Sequence, residues 1–292
     1  MSIGIPTYNR NVGILKTLES IWMQEYPNLE IIISDNHSTD NTNEIIEGIR
    51  QHHPDIKYWR QETNIGMIPN FEFVLRQASG KYFMWVADDD NLEPRIVHKY
   101  VAFLEEHPGY SLVSGVIKYW LNNNADFNEH GFTFEQNSPS YRAVSYYFKV
   151  VYGGMIHGMM RRDLTVHVPF HPIIGSDYHF VANLAYLGKI KNFEFVGYNK
   201  TFGGMSKSFK QYAELMGESD FAKNFPHLKM ACDAFAEVWS RSPVYSPMHS
   251  LPKLVLAISS FSGVFFCYYG KIFPMMLGGK IKRFFGRVFT LN

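Results

Sequence analysis

Cysteine is scarce in this chain: there are two among 292 residues, Cys232 and Cys267. Their separation forms no metal-type pair, and a reduced, cytosolic setting is expected rather than a disulfide framework. An excess of one charge is also missing. Lys plus Arg (28) against Asp plus Glu (27) leaves a formal net charge of +1. No global field therefore marks a nucleic-acid partner, and any basic patch is local. No G-x-G-x-x-G follows the first apolar run, which disfavours a dehydrogenase. The 12 histidines contain no H-E-x-x-H, and Pro169 and Pro172 break the helical face that His167 and His171 would need to share. Zinc is not expected. The amino terminus lacks the charged region and long apolar run of a signal peptide. There is no internal repeat and no low-complexity linker.

The chain is instead rich in apolar and aromatic residues. Hydrophobic residues at 46% with charged residues at 19% describe a globular protein with a sizeable core. Aromatics reach 16% and thicken toward the end. Residues 254–270 carry no charge and are followed by Lys271, Lys280, Lys282, Arg283 and Arg287. A bilayer span needs about 20 apolar residues, and Ser259, Ser260, Ser262 and Gly263 interrupt this one. The segment is expected to lie in the membrane interface, its cations against anionic lipid. Packing as a helix on the rest of the fold is the alternative. The expected location is cytoplasmic, peripheral on the inner face of the cell membrane.

The first half alternates short apolar runs with amphipathic stretches, the pattern of an α/β fold. Strands are expected at residues 3–5, 29–34, 56–59, 81–87 and 111–117. Helices are expected at 12–24, from Asp40 or Thr42 through Ile49, from Pro69 to a stop at Gly80, and from Pro94 to about Leu104. Such an order implies a parallel sheet covered on both faces, with ligands at the carboxyl ends of its strands. Polar residues gather at those ends: Thr7-Tyr8-Asn9-Arg10 after the first strand, Asp35-Asn36 after the second, Asp88-Asp89-Asp90 after the fourth. Capping or turn chemistry explains any one of these clusters. It explains three on one edge less easily. Further on, residues 122–139 read as a loop, 144–152 and 177–188 as helices, and 214–240 as helical with a break at Pro226.

Three adjacent carboxylates repel one another strongly in a partly buried site. A divalent cation relieves that repulsion, and Mn2+ or Mg2+ is commonly held by one or two carboxylates plus substrate phosphates. The competing reading is an acidic turn before a helix amino terminus. For Arg161-Arg162, an anionic acceptor and plain exposure to water both stay open.

The order of these motifs resembles a known family. Residues 6–10 (PTYNR), 34–42 (SDNHSTDNT), Asn64-Ile65-Gly66 with Asn70, and 85–94 (WVADDDNLEP) are similar to the motifs of inverting family 2 glycosyltransferases, which have the GT-A fold. Residues 175–190 (GSDYHFVANLAYLGKI) resemble that family's acceptor-side helix. The resemblance implies a Rossmann-like, mostly parallel sheet flanked by helices, with a helical C-terminal extension. Residues 1–210 would be the catalytic domain (1–117 for the nucleotide sugar, 118–210 for the acceptor) and 211–292 a helical, membrane-associating region. It also implies roles. Pro6, Thr7, Tyr8 and Arg10 would line the nucleotide pocket, Asp35 would accept from the base (typically uracil), and Asn36 would support that loop. Asn64 and Asn70 would lie near the nucleotide or donor sugar, and Asp88 near the ribose or sugar. Asp89, with Asp90, would hold Mn2+ or Mg2+, and Asp177 would be the catalytic base. Ala87 stands where many members have the leading aspartate of D-x-D. Lys207, within residues 203–207, resembles part of a segment that closes over donor phosphates. The expected activity is metal-dependent sugar transfer from a nucleotide-sugar donor, typically UDP-linked, to a saccharide, lipid-linked or other hydroxyl acceptor, in surface polysaccharide or glycoconjugate synthesis. A nucleotidyltransferase usually carries a Gly-rich basic loop after its first strand, which PTYNRNVG does not supply. A non-catalytic nucleotide-sugar-binding protein is the remaining alternative.

Overall fold

In a computed structural model, residues 1–121, 124–201 and 209–272 are described. Isoleucine-rich runs form the strands that are buried on both faces. β1 (Ser2–Thr7) and β2 (Glu30–Asp35) pair in parallel, Ile3 opposite Ile31 and Thr7 opposite Asp35. Between them α1 (Ile14–Trp22) lays Ile14, Leu18 and Ile21 on the sheet, the spacing of one helical face. α2 (Thr42–Arg50) leads to β3 (Lys57–Arg60), and α3 (Met67–Gln77) leads to β4 (Tyr82–Trp85). These four strands run parallel in the order β3-β2-β1-β4. The loops after β1, β2 and β4 therefore open on one rim.

Beyond β4 the sheet becomes mixed. In chain order come β5 (Asn91–Leu92), α4 (Ile96–Glu106), β6 (Tyr110–Leu121), β7 (Asn124–Glu129), α5 (Pro139–Lys149), β8 (Met159–Arg161), α6 (Arg162–Thr165), α7 (Ser176–Leu187) and β9 (Lys189–Thr201). The spatial order continues β4-β8-β6-β9-β5, with β7 on β6. β8 lies antiparallel to both β4 and β6, whereas β6 and β9 run parallel.

Three expectations are corrected here. Residues 122–139 are not a plain loop, since they contain β7, whose sequence NADFNE is too polar to show alternation. The helix expected at 144–152 begins earlier, at Pro139, because Ser138 Oγ accepts from Tyr141 N and proline suits a first helical position. The helix expected to stop at Gly80 ends at Gln77, where Ala78 turns extended. Residues 203–207 lie outside the described residues.

Two buried layers flank the sheet. On one side Trp85 meets Phe83, Phe180, Phe170 and Phe71 at ring separations of 4.9, 5.2, 5.5 and 6.2 Å, and its Nε1–H donates to the Phe71 carbonyl. On the other, Ile3, Ile5, Ile14, Leu18, Ile31 and Ile33 are sealed from solvent. Burying each such side chain stabilises the fold by about 1.5–3 kcal/mol.

The carboxyl-terminal region folds as α8 (Phe209–Leu215), α9 (Asp220–Asn224), α10 (Pro226–Ala236) and α11 (Ser250–Phe266), with the expected break at Pro226. Ala231, Ala234 and Val264 belong to the same buried cluster as Trp85 and Phe180. The outer face of α11 differs. Leu251, Val255, Ile258 and Phe266 are 72, 56, 52 and 59% exposed. Among the described residues, Ser250–Gly270 is one helical stretch long and apolar enough to cross a membrane by length and composition.

Two polar contacts in the core generate measurable consequences. Asn70, on α3, is buried and donates from Nδ2 to the Ser34 carbonyl at 2.9 Å, while its Oδ1 accepts from Ser34 Oγ at 2.6 Å. The amide thus ties α3 to the end of β2. Asn70→Ala removes both bonds and leaves Gln61 Nε2 as the side-chain partner of Ser34 Oγ at 2.9 Å, and urea unfolding is expected to show a loss of about 1–2 kcal/mol. Glu237, 1% exposed, accepts from Asn183 Nδ2 at 2.9 Å, and burial pushes its carboxyl up to about 7. Between its ordinary value of 4.5 and about 7 the folded state holds a proton that the unfolded chain has released. Stability therefore falls as pH rises through that window, by on the order of 3 kcal/mol. Melting curves from pH 5 to 8 should show this decline in the native protein and a flatter profile for Glu237→Gln.

Candidate active site

The loops after β1 and β2 are knitted by their own polar side chains. Thr7 ends β1 and its carbonyl accepts from Asn36 N at 2.9 Å. Asn9 takes the left-handed conformation (φ 54°), which Asn tolerates better than most residues. Its N–H donates to Ser38 Oγ and its Oδ1 accepts from Thr39 N, at 2.9 and 2.8 Å. Arg10 N donates to Thr42 Oγ1 at 2.9 Å. Pro6 and Thr7 are buried in the strand end, while Tyr8 and Arg10 are partly exposed.

Asp35 is sealed from solvent beneath this loop. Its Oδ1 accepts from Ser38 N at 2.8 Å, its Oδ2 accepts from the Tyr58 hydroxyl at 3.3 Å, and Arg60 Nε stands 3.7 Å away. Asn36 Nδ2 donates to Asn64 Oδ1, and Asn36 Oδ1 accepts from Ile65 N, at 2.9 and 2.8 Å. Asp35, Asn36 and Asn64 therefore come together at the ends of β2 and β3. Asn70 lies beneath them, its amide bound to Ser34.

The acidic triplet divides its three side chains. Asp88 is buried and accepts from Tyr8 N and Arg10 Nε, both at 3.3 Å. Burial pushes its carboxyl up to about 7, with Asp89 adding to the rise and Arg10 opposing it. Asp89 is more exposed, and Arg10 reaches its Oδ2 at 3.2 Å, so one guanidinium bridges both carboxylates. Asp90 turns inward to β9. Its Oδ1 accepts from Thr201 N at 2.7 Å and its Oδ2 from the Tyr198 hydroxyl at 3.0 Å, and burial pushes it up to about 6. The expected pairing of Asp89 with Asp90 as ligands thus meets a geometry in which Asp90 anchors β9. Among the described residues no group of three or more His, Cys, Asp or Glu could hold a metal ion. Asp88 and Asp89 across Arg10 form a two-carboxylate set, and such a set suits Mn2+ or Mg2+ only when phosphate oxygens complete the shell. The residues present fit a cation brought in with a diphosphate.

Asp177 sits in the first turn of α7, where the helix amino terminus favours negative charge. It is half-buried, and its Oδ1 accepts from Tyr178 N at 2.9 Å. Burial raises its carboxyl above the ordinary range, and Lys200 opposes that rise. Lys200, on β9, also pulls on Asp90 and on Glu129. Its Nζ donates to His157 Nε2 at 3.0 Å; burial keeps that imidazole neutral. Asp90 and Asp177 thus share one cation's field.

Glu129, Lys200, His157 and Tyr119 carry no signal in the sequence reading. Glu129 falls in the stretch taken as a loop, and the others become neighbours only through β6–β9 pairing. Arg161 answers neither expectation for it. Its guanidinium donates to the carbonyls of Tyr110, Leu104 and His107, closing the end of α4. A cleft of about 820 Å³ opens beside the triplet, lined in part by Arg10, Lys16, Asp89, Glu93, Trp120 and Asn199. It reaches Asp89 without including Asp35 or Asp177. Arg10 and Asp89 are therefore where the open cleft meets the buried nucleotide-side residues.

Known proteins share this arrangement. Residues 2–167, more than half of the chain, match the model of the family described as Glycosyl transferase family 2. A GalNAc(5)-diNAcBac-PP-undecaprenol beta-1,3-glucosyltransferase of Campylobacter jejuni is 37% identical over 93 residues, which is 32% of this chain and 30% of that protein. Chondroitin synthase of Escherichia coli is 24% identical over 261 residues, 86% of this chain and 35% of that protein. The chain spans about a third of the length of the curated relatives it matches. Among solved structures, S. aureus TarS in complex with UDP-GlcNAc superposes with a TM-score of 0.56 at 20% identity, covering 90% of this chain and 80% of that one. The mannosyltransferase PcManGT from Pyrobaculum calidifontis, in complex with GDP-Man and Mn2+, gives 0.54 at 16% identity, covering 96% and 79%. The mixed α/β sheet flanked by helices is that of the GT-A glycosyltransferases, and this chain belongs to glycosyl transferase family 2.

Proposed function

We propose that this enzyme transfers a sugar, with inversion, from a UDP-linked donor to an acceptor hydroxyl in the synthesis of a surface polysaccharide or glycoconjugate. One observation supports this most directly. The carboxylates of the site each have a cation close by: Asp35 has Arg60, Asp88 and Asp89 share Arg10, and Asp90 and Asp177 both feel Lys200. In this reading Pro6, Thr7 and Tyr8 wall the nucleotide and Asp35 accepts from the base, its long 3.7 Å contact to Arg60 giving way. Asn36 and Asn64 hold the loop, Asn70 braces it from below, and Asp88 takes the ribose. Mn2+ or Mg2+, when bound, would sit on Asp89 beside Asp88, with Asp90 staying on β9 and phosphate oxygens completing the shell, and would neutralise charge on the leaving diphosphate.

The chain's own groups complete the step. Asp177 takes the acceptor proton as the hydroxyl oxygen bonds to the anomeric carbon. The bond from that carbon to the diphosphate oxygen breaks, and the electron pair leaves with the nucleoside diphosphate. Arg10, freed from its carboxylates, has the charge and fork geometry to hold the departing phosphates. TarS binds UDP and UDP-GlcNAc, and the Campylobacter protein is named for a lipid-linked pyrophosphate substrate. Both support a UDP donor and a saccharide or lipid-linked acceptor. An apolar outer face on α11, followed in sequence by Lys280, Lys282, Arg283 and Arg287, supports peripheral contact with the inner face of a membrane. No nucleic-acid partner is proposed.

Assays of turnover, binding and membrane contact test this. Incubating the protein with UDP-glucose, UDP-GlcNAc, UDP-GalNAc and GDP-mannose, each with Mn2+ or Mg2+ and an acceptor, should release nucleoside diphosphate; release of pyrophosphate would defeat the proposal. Asp89→Asn should lose metal-dependent UDP binding in calorimetry. Asp177→Asn should keep UDP binding and lose transfer by about 10³-fold. Because the base acts deprotonated, native transfer should fall as pH drops, with a midpoint above the ordinary carboxylate value of about 4. Separately, flotation with phosphatidylglycerol vesicles should recover the native protein but not Leu251→Asp/Val255→Asp. Equal flotation of the two would rule out α11 as the contact.

A further inference from the structure

A 3₁₀ turn over Gly154–His157 lies wedged between two carboxylates. A Cβ on Gly153 would overlap Asp177 Oδ2, and one on Gly154 would come within 2.5 Å of Glu129 Oε2. Gly154 N–H donates to Glu129 Oε1 at 3.1 Å, and the Tyr119 hydroxyl donates to Glu129 Oε2 at 2.8 Å. At the other end of the turn His157 accepts from Lys200 and faces the Trp85 carbonyl at 3.4 Å. β7, β6, β9 and β4 thus all grip one short segment. Its bare backbone at Gly153 is the wall against which the Asp177 carboxylate rests. A buried carboxyl is an expensive way to hold one backbone N–H and one hydroxyl. A neutral side chain would do so at lower cost if the turn had no task beyond closing the loop.

We propose that Glu129 is a positioning residue for Asp177. It fixes the Gly153-Gly154 backbone so that Asp177 can rest in only one place. This rests on the reading of Asp177 as the base. The groups facing Asp177 are Glu129 from β7, Tyr119 from β6, Lys200 from β9, Tyr146 from α5 and Tyr212 from α8. Lys200 draws the Asp177 proton off, and the Asp177 charge in turn raises the buried Glu129 carboxyl.

The test uses the full-length protein, the nucleotide sugar turned over in the donor panel, and UDP with Mn2+ for calorimetry. Gly153→Ala should lower kcat about 10²-fold by displacing the carboxylate, with KM for the donor and UDP affinity within about twofold of native. Glu129→Gln keeps the shape and one acceptor for Gly154 N–H. It should lower kcat about tenfold, with KM for the donor within about twofold of native. The ¹³C-carboxyl resonance of Asp177 should move in Glu129→Gln as the carboxylate is displaced, a readout that needs no turnover and remains available if Gly153→Ala unfolds. Native kcat in both variants, or an unmoved Asp177 carboxyl resonance in Glu129→Gln, overturns the proposal even when Asp177→Asn is inactive. Full transfer by Asp177→Asn overturns the base assignment itself.

Discussion

Negative charge crowded onto one rim is the constraint around which this molecule is built. Asp88, Asp90 and Glu129 are nearly closed to solvent and Asp177 is half-buried. Burial pushes all four carboxyls upward. Such a rim is tolerable only with cations held close by strands and loops that cannot move away. Arg10 meets the requirement from the β1 loop and Lys200 from the far end of β9. The parallel order β3-β2-β1-β4 brings the first three acidic positions to the same edge. The parallel β6–β9 pair carries Lys200 to it from the other half of the chain.

This division explains what was legible in the sequence. The parallel half announces itself. Ile31, Ile32 and Ile33 form an uninterrupted buried run, Ile14, Leu18 and Ile21 keep helical spacing, and turn residues mark each strand end. Asp35, Asn36, Arg10 and the triplet could be read from position alone, because a residue just after a parallel strand has few places to go. The mixed half offers no such rule. β7 reads NADFNE, with acidic and amide residues where alternation would show a strand, and β8 is three residues long. Glu129 and Lys200 acquire meaning only when β6 pairs with β7 on one edge and β9 on the other. That pairing joins positions some seventy residues apart, and no local pattern encodes it. Asp90 shows the same limit on a smaller scale. Its place in the triplet is plain, yet whether it faces the cleft or β9 depends on Tyr198 and Thr201, two partners far along the chain.

The carboxyl-terminal helices belong to the same physical unit. Asn183 on α7 donates to Glu237, and Ser242 Oγ donates back to Asn183 Oδ1 at 2.9 Å. Tyr147 on α5 reaches His179 on α7 at 3.2 Å. α7, which carries Asp177 in its first turn, is thereby held by buried polar contacts as well as by packing. Hydrophobic burial alone lets a helix slide by a fraction of an ångström at little cost; a buried hydrogen bond does not, because a lost partner costs about 1–3 kcal/mol. The arrangement uses its more expensive contacts where position matters most.

A single segment then links the two halves. The turn at Gly154–His157 lies near the carboxyl end of β4, the strand that delivers the triplet, and Gly153 and Gly154 lie against Asp177 and Glu129. The strand that carries the triplet and the carboxylate of Asp177 thus both meet one piece of backbone. An in-line displacement requires the attacking hydroxyl, the anomeric carbon and the leaving oxygen to align within a few tenths of an ångström. Two sites hung on independent loops would each wander, and their errors would add. A turn in contact with both the Trp85 carbonyl and Asp177 leaves fewer independent hinges between them, which is what the proposed displacement would need.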